Sequence, residues 1–433
     1  MRFLTTLLTL ALAASAWAGN WPQWRGPTGD SVSTEANLPL KWSEHDQIVW
    51  KCPLPEDGAS TPAIWGDAIF LTNQQGENLL LLKIDKKAGK VVWTQQVGTG
   101  VPRRGPLLPK QGEGRRQQKF HKLHNMASPS PVTDGEVVVA HFGNGDLAAY
   151  DFTGRQLWRR NLQKDYSTYT IWWGHANSPV LYQDLVISVC MQDSLADLQS
   201  DKVQSYLVAH DKRTGQEKWK TLRMTDASAE QCDSYTTPLF FKTKNRLELV
   251  VMGGNQIDAY DPATGRQLWY LPGIVGGRTI TGPTAGQGLI FATQGMRGPF
   301  LAIRPGGEGK LPASAVVWKE TQGTPDSSCP VVWQDLVFWV ADNGVAQCHD
   351  ARTGELKWKE RLPAGDYKAS PLAADGRIYF LNLAGLCTVV AAAPRFEKLA
   401  ENRINDETIA SPAVSDGRLY LRGRKTLYCI GAP

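Results

Sequence analysis

The chain has 433 residues, a formal net charge of +5, and 42% hydrophobic against 21% charged side chains. Such a length supports a large buried core, and so weak a positive balance argues against nucleic acid as the main partner. Beyond the first residues no stretch is long and apolar enough to cross a bilayer as a helix.

Residues 1–18 read as a secretory signal peptide. Arg2 gives the positive start, Leu4 to Ala16 is a short apolar run, and Ala16-Trp17-Ala18 is a small-x-small cleavage site before Gly19. No Cys follows that point to carry a lipid, so the expectation is an exported protein, periplasmic or secreted, that is not a lipoprotein.

A Pro that opens a strand, usually after a small residue, then recurs eight times, at Pro62, Pro129, Pro179, Pro238, Pro283, Pro330, Pro371 and Pro412. At a strand start its missing N–H breaks no ladder bond. A turn and an apolar strand such as Ala68-Ile69-Phe70-Leu71 follow. Most units then run into Asp-x-x-Thr-Gly-x-x-x-Trp, which Asp211 to Trp219, Asp261 to Trp269 and Asp350 to Trp358 fit fully. Asp85 to Trp93 has Ala88 for Thr, and Asp151 to Trp158 is one residue short. A period of roughly 40 to 60 residues with four short strands per unit predicts an all-β fold, an eight-bladed β-propeller of four-stranded antiparallel blades.

Trp50, Trp93, Trp158, Trp219, Trp269, Trp318 and Trp358 share the outer-strand position, and the unit near Leu399 lacks one. They are expected to dock blade on blade. Burying about 200 Å2 of an indole at ~25 cal/mol per Å2 contributes up to about 5 kcal/mol. The last unit supplies three strands only, and Trp50 precedes the first Pro signature. Ile48-Val49-Trp50-Lys51 is therefore expected to complete the last blade and close the ring. Residues 19–433 read as one propeller domain, with 19–54 as an N-terminal segment carrying the closing strand.

Two insertions break the period. Residues 99–126 carry a basic run from Arg103 to Lys122, and residues 191–204 contain Asp193, Asp197 and Asp201 without the Gly and Glu of an EF-hand loop. The pair His121 and His124 has no third ligand nearby, so no metal site is read. The seven cysteines include no adjacent pair and no Cys-x-x-Cys, and they read as small buried residues.

The alternation of Ser/Thr-Pro strands with Asp-x-x-Thr-Gly-x-x-x-Trp resembles the PQQ-like repeat family. That family includes the quinoprotein alcohol dehydrogenases and the BamB-type scaffold of outer-membrane β-barrel assembly. The opening Trp21-Pro22-Gln23-Trp24-Arg25-Gly26-Pro27 is similar to the start of exported bacterial members. For the enzyme branch the resemblance implies PQQ stacked on a disulfide between adjacent cysteines and Ca2+ held by Glu, Asn and Asp. This sequence has no Cys-Cys pair, no Cys-x-x-Cys-His, and no trio that maps onto the calcium ligands.

Residues four or five before each signature Pro are expected at one mouth of the central channel. They give the candidate ligand-binding set His124, Asn125, His175, Asp233, Arg278, Asp326 and Tyr367, with Trp173 and Tyr235 beside them; Asp57, Trp172 and Glu407 fall in the same region. Arg278, Asp233 and Asp326 read either as a salt-bridge network or as an Arg clamp for an anion. No nucleophile motif and no phosphate-cradling loop stands out. The reading is an exported, non-catalytic scaffold, monomeric, that binds a protein or polymer partner on one face of the ring without a cofactor. The alternative is a PQQ- or small-ligand-dependent oxidoreductase using the channel mouth, with PQQ and Ca2+ as its cofactors.

Overall fold

The computed structural model describes residues 19–102, 118–192 and 204–432. The expected signal segment, most of the basic run and the Asp193–Asp201 segment lie outside the described residues. Eight antiparallel sheets stand around one axis as an eight-bladed β-propeller. Blade 1, inner to outer, is Ala63–Trp65, Ala68–Gln75, Asn78–Asp85 and Lys90–Thr99. The inner strands of blades 2 to 7 are Val132–Thr133, Val180–Tyr182, Leu239–Lys242, Thr284–Gly286, Val331–Trp333 and Leu372–Ala374. All but the first begin directly after a signature Pro.

Blade 8 is built from both ends of the chain. Ala413–Ser415, Arg418–Arg422 and Thr426–Ile430 supply three strands, and Ile48–Pro53 is the outer fourth. Its register places Trp50 opposite Cys429 and Cys52 opposite Leu427, so the predicted closure is present. Arg422 locks the seam between last and first blades from inside. Its guanidinium is fully buried and donates to the Ser60 carbonyl at 3.0 Å, the Thr72 carbonyl at 2.9 Å, the Ser60 hydroxyl and the Asn73 amide oxygen.

The repeat signature works across the blade interface. Where the next blade carries the signature Asp, the indole N–H reaches the carbonyl one residue after it: Trp50 to Lys86 at 3.0 Å, Trp158 to Lys212 at 2.9 Å, Trp318 to Ala351 at 3.0 Å. The ring lies on the turn glycine of that blade. A Cβ at Gly89 would fall 2.4 Å from Trp50, and one at Gly354 2.6 Å from Trp318; both glycines also hold φ near +64° and +76°. The motif therefore needs Gly for close approach and for backbone conformation together.

Trp269 departs from the pattern because blade 5 has no Asp-x-x-Thr-Gly turn. Its N–H goes to Glu248 in its own blade at 2.7 Å, and the short strand Gly309–Lys310 covers it. Blade 7 lacks an outer-strand Trp, and the N-terminal segment supplies one. Trp42 is buried and stacks on Tyr379 with centroids 6.4 Å apart, much as Trp50 meets Tyr420 at 5.9 Å in blade 8.

The first described residues do more than close a blade. Trp21 pairs with Ile64 on the inner edge of blade 1, the Pro22 carbonyl accepts from Thr133 of blade 2, and Val32–Ser33 lies parallel to Ala373 and Ala374 of blade 7. Between them the fully buried Arg25 donates to the Pro283 carbonyl at 3.0 Å, Thr284 Oγ1 at 2.6 Å and the Pro330 carbonyl at 2.7 Å. Residues 21–33 thus cross the channel as a plug. Among the described residues no helix is long and apolar enough to cross a membrane.

Candidate functional site

Strands alternate in direction, so the start of each inner strand, the end of each outer strand and the turn between second and third strands share one face. A funnel opens there along the ring axis, with a cavity volume of about 420 Å3. Trp24 of the plug is at its floor, so the channel is blind rather than open through the ring.

The wall is made by the residues flanking the signature prolines. Their hydroxyls form a belt around the axis. The Thr61 N–H donates to Ser130 Oγ at 2.9 Å, Ser130 N–H to Ser178 Oγ at 2.9 Å, and Ser178 N–H to Thr237 Oγ1 at 3.1 Å. On the other side the Gly282 N–H meets Cys329 Sγ at 3.0 Å, Cys329 N–H meets Ser370 Oγ at 3.0 Å, and Ser370 N–H meets Ser411 Oγ at 3.0 Å. The Thr61 hydroxyl returns to the Ser411 carbonyl at 3.3 Å. The small residue of the signature is therefore an acceptor for the neighbouring blade, a role that strand-start reasoning did not give it.

Of the predicted set, His124, Trp173, Tyr235, Arg278 and Asp326 line the funnel. Both ring nitrogens of His124 are engaged, by Ser128 Oγ at 3.1 Å and the Trp173 carbonyl at 2.7 Å. The Trp173 N–H donates to Tyr235 Oη at 3.0 Å. Arg278 reaches Asp326 at 3.3 Å and Glu230 at 3.8 Å. Burial raises the Asp326 carboxyl above its ordinary range, and the Arg278 charge opposes that rise.

The other four sit behind the wall. Asn125 is buried, donates to the Asp57 carbonyl at 3.2 Å and accepts from the Ala127 N–H at 2.9 Å. Asp233 is fully buried and accepts from the Trp172 N–H at 3.2 Å and the Tyr235 hydroxyl at 3.2 Å. Tyr367 is buried with its hydroxyl on the Pro363 carbonyl at 3.0 Å. His175 is fully buried against His141 at 3.2 Å, and burial pushes it down to about 3. Proximity to the signature Pro places these residues near the mouth, but side-chain direction turns them into the blade interfaces.

Three lining groups lay outside the predicted mouth set. Trp24 belongs to the plug. His121 packs edge-on to Trp173 with centroids 5.5 Å apart. Lys368 follows Tyr367 and pairs with Asp342, which also accepts from Ser327 Oγ at 2.8 Å. A charge three residues before Pro371 was the signal available for Lys368.

All seven cysteines are buried and none is in a disulfide, and among the described residues no group of three or more His, Cys, Asp or Glu is placed to hold a metal ion. Among the described residues Asp326 is the only carboxylate of the funnel lining, and its Oδ2 is shared with Arg278. This donor set does not fit Ca2+ held by several carboxylate and amide oxygens.

The family model described as outer membrane protein assembly factor BamB matches residues 32–202 and 310–395, more than half of the chain. Among solved structures, the quinohemoprotein alcohol dehydrogenase from Comamonas testosteroni aligns with a TM-score of 0.69 at 14% identity, over 97% of this chain and 82% of that one. BamB from Moraxella catarrhalis aligns with a TM-score of 0.58 at 14% identity, over 88% and 99%. A europium-containing methanol dehydrogenase aligns with a TM-score of 0.67 at 11% identity, over 94% and 90%. At these identities the likeness is one of fold. No curated protein matches the sequence. The chain belongs to the BamB-like family of PQQ-repeat β-propellers.

Proposed function

We propose that this protein is an exported, non-catalytic scaffold that docks a protein partner on the mouth face of the ring. The observation that carries the reading is the state of the funnel's ionisable groups. Arg278 is matched by Asp326, Lys368 by Asp342, both nitrogens of His124 are bonded within the protein, and His121 Nδ1 accepts from the Leu123 N–H at 3.3 Å. General acid–base chemistry needs a group within reach of substrate and at liberty to exchange a proton. Around the funnel the same face exposes Val101, Met224, Val275 and Met296, all in loops or turns of that face. Exposed Met and branched side chains in loops suit adaptable protein contact. The family's BamB member is consistent with such a role.

Capture of partners from the exported fraction tests it. The wild-type protein is expected to retain a partner that a Met224→Asp, Val275→Asp, Met296→Asp variant with unchanged melting does not. Equal capture by both proteins counts against this face.

The second reading, a small-ligand-dependent oxidoreductase, is favoured by the funnel itself, concave, aromatic and closed at its floor. Calorimetric titration with PQQ, with and without Ca2+, separates the two. Tight, calcium-dependent binding would replace the scaffold reading.

A further inference from the structure

Five hydroxyls of the belt, those of Ser130, Ser178, Thr237, Ser370 and Ser411, each accept a backbone N–H from the blade before. Each side chain is more than nine-tenths buried, and all five line the funnel. A hydroxyl has one proton to donate besides the bonds it accepts. None of these five donates its proton to another described residue. The contrast is Thr61, whose proton goes to the Ser411 carbonyl, and Ser128, whose proton goes to the Asn125 carbonyl at 2.9 Å.

The wall therefore presents a ring of buried hydroxyls, each with one lone pair taken by a backbone amide and its proton uncommitted to another described residue. Donating N–H groups on the oxygen also make each hydroxyl a better donor. Above the ring stand two cations at the rim, Arg278 and Lys368, each partly exposed. Below it lies the indole of Trp24. Among the described lining residues the one carboxylate is Asp326, whose Oδ2 is shared with Arg278 and whose Oδ1 is buried without a protein partner.

We propose that the funnel binds a carboxylate. Its oxygens accept from belt hydroxyls, Ser178 and Ser370 among them, while Arg278 and Lys368 hold the charge and Trp24 packs under the remainder of the ligand. Because the plug closes the channel, the carboxylate belongs to a small molecule or to the last residue of a partner chain; a chain cannot thread through. This inference rests on the mouth face being the binding face. It adds what the centre of that face recognises.

Calorimetric titration of the purified protein tests it with two probes and their uncharged forms. The probes are citrate against trimethyl citrate, and a short alanine peptide ending in phenylalanine with a free or an amidated C-terminus. Binding of citrate but not its ester identifies a small carboxylate. Binding of the free-ended but not the amidated peptide identifies a chain end. Either result supports the proposal. Arg278→Ala with Lys368→Ala, and Ser178→Ala with Ser370→Ala, are each expected to weaken the bound probe at least about tenfold.

Asp326→Asn keeps the shape and removes the opposing charge, so it is expected to tighten binding. Each variant is checked for a single cooperative melting transition that lies well above the titration temperature. Two outcomes overturn the proposal: no binding of either acid by the folded wild-type protein, or equal binding of the ester or amide. Weaker binding by Asp326→Asn does so as well. If the Met224, Val275, Met296 variant still loses its partner in that event, the scaffold reading stands and only the carboxylate is lost.

Discussion

The backbone N–H of Cys329 in blade 6 donates to the hydroxyl of Ser370 in blade 7 at 3.0 Å. That bond is one link of the belt and joins two residues at the same point of successive repeats. Both are buried, so a lost acceptor is not replaced by bulk water. Ser370→Ala is expected to lower stability by about 1–3 kcal/mol, the cost of a buried unsatisfied N–H. Ser370→Cys should lose less, since Cys329 Sγ already accepts from Gly282 in the neighbouring link. Denaturant midpoints at constant slope give the comparison.

Gly354 tests the blade-to-blade docking. It holds φ +76° beneath the Trp318 ring. Gly354→Ala meets both the backbone penalty and the indole, and is expected to cost about 2–4 kcal/mol. Gly376, at φ +69° with open space around its Cβ position, carries the backbone penalty alone. Thermal melts should therefore rank the Gly354 substitution as clearly the worse of the two.

The N-terminal segment separates into a plug and a closing strand. Removing residues 19–54 takes away the outer strand of blade 8, Trp42 and the plug, and is expected to leave an open-edged ring that aggregates. Arg25→Ala keeps the ring closed but strips donors from the Pro283 and Pro330 carbonyls and from Thr284 Oγ1. It is expected to cost about 3 kcal/mol while the protein stays monodisperse in light scattering. A truncated chain that remains monomeric with unchanged melting would contradict the closure.

Acid should destabilise the protein well above the carboxylate range. Burial holds His175 down to about 3 and His210 down to about 4, from an ordinary 6.5, and pushes His141 down in the same direction. Between those values the unfolded chain binds protons that the folded chain does not, so stability falls as pH drops. The contribution is complete above about pH 6.5 and is lost progressively toward pH 3 to 4. His175→Phe should flatten the dependence of melting temperature on pH between 6.5 and 4.

The repeat made the blade architecture legible because its information is local. The Pro before a strand, the Gly in a turn and the Trp at a fixed offset each act within about ten residues. The outer-strand position of all seven Trp, the eight blades and the closing strand, expected at Ile48 to Lys51 and found at Ile48–Pro53, followed from that spacing. The mouth set was legible in position only. Arg278 and Asp326 face the funnel, whereas Asp233 and Tyr367, equally close to their signature prolines, turn into the blade interfaces. Which way a side chain leaves a loop depends on what packs behind it, and no periodicity records that.

The sequence by itself determined the fold class, the number of blades and how the two ends of the chain meet. The tertiary structure alone decided that the channel is blind and what its wall offers. Arg25 finds its acceptors at Pro283 and Pro330, more than 250 residues away. Trp42 fills the indole position that blade 7 lacks, and the belt links hydroxyls of different repeats. Each of these contacts joins parts of the chain that meet only when the ring closes, so their geometry is set by the curvature of the whole propeller rather than by any one repeat.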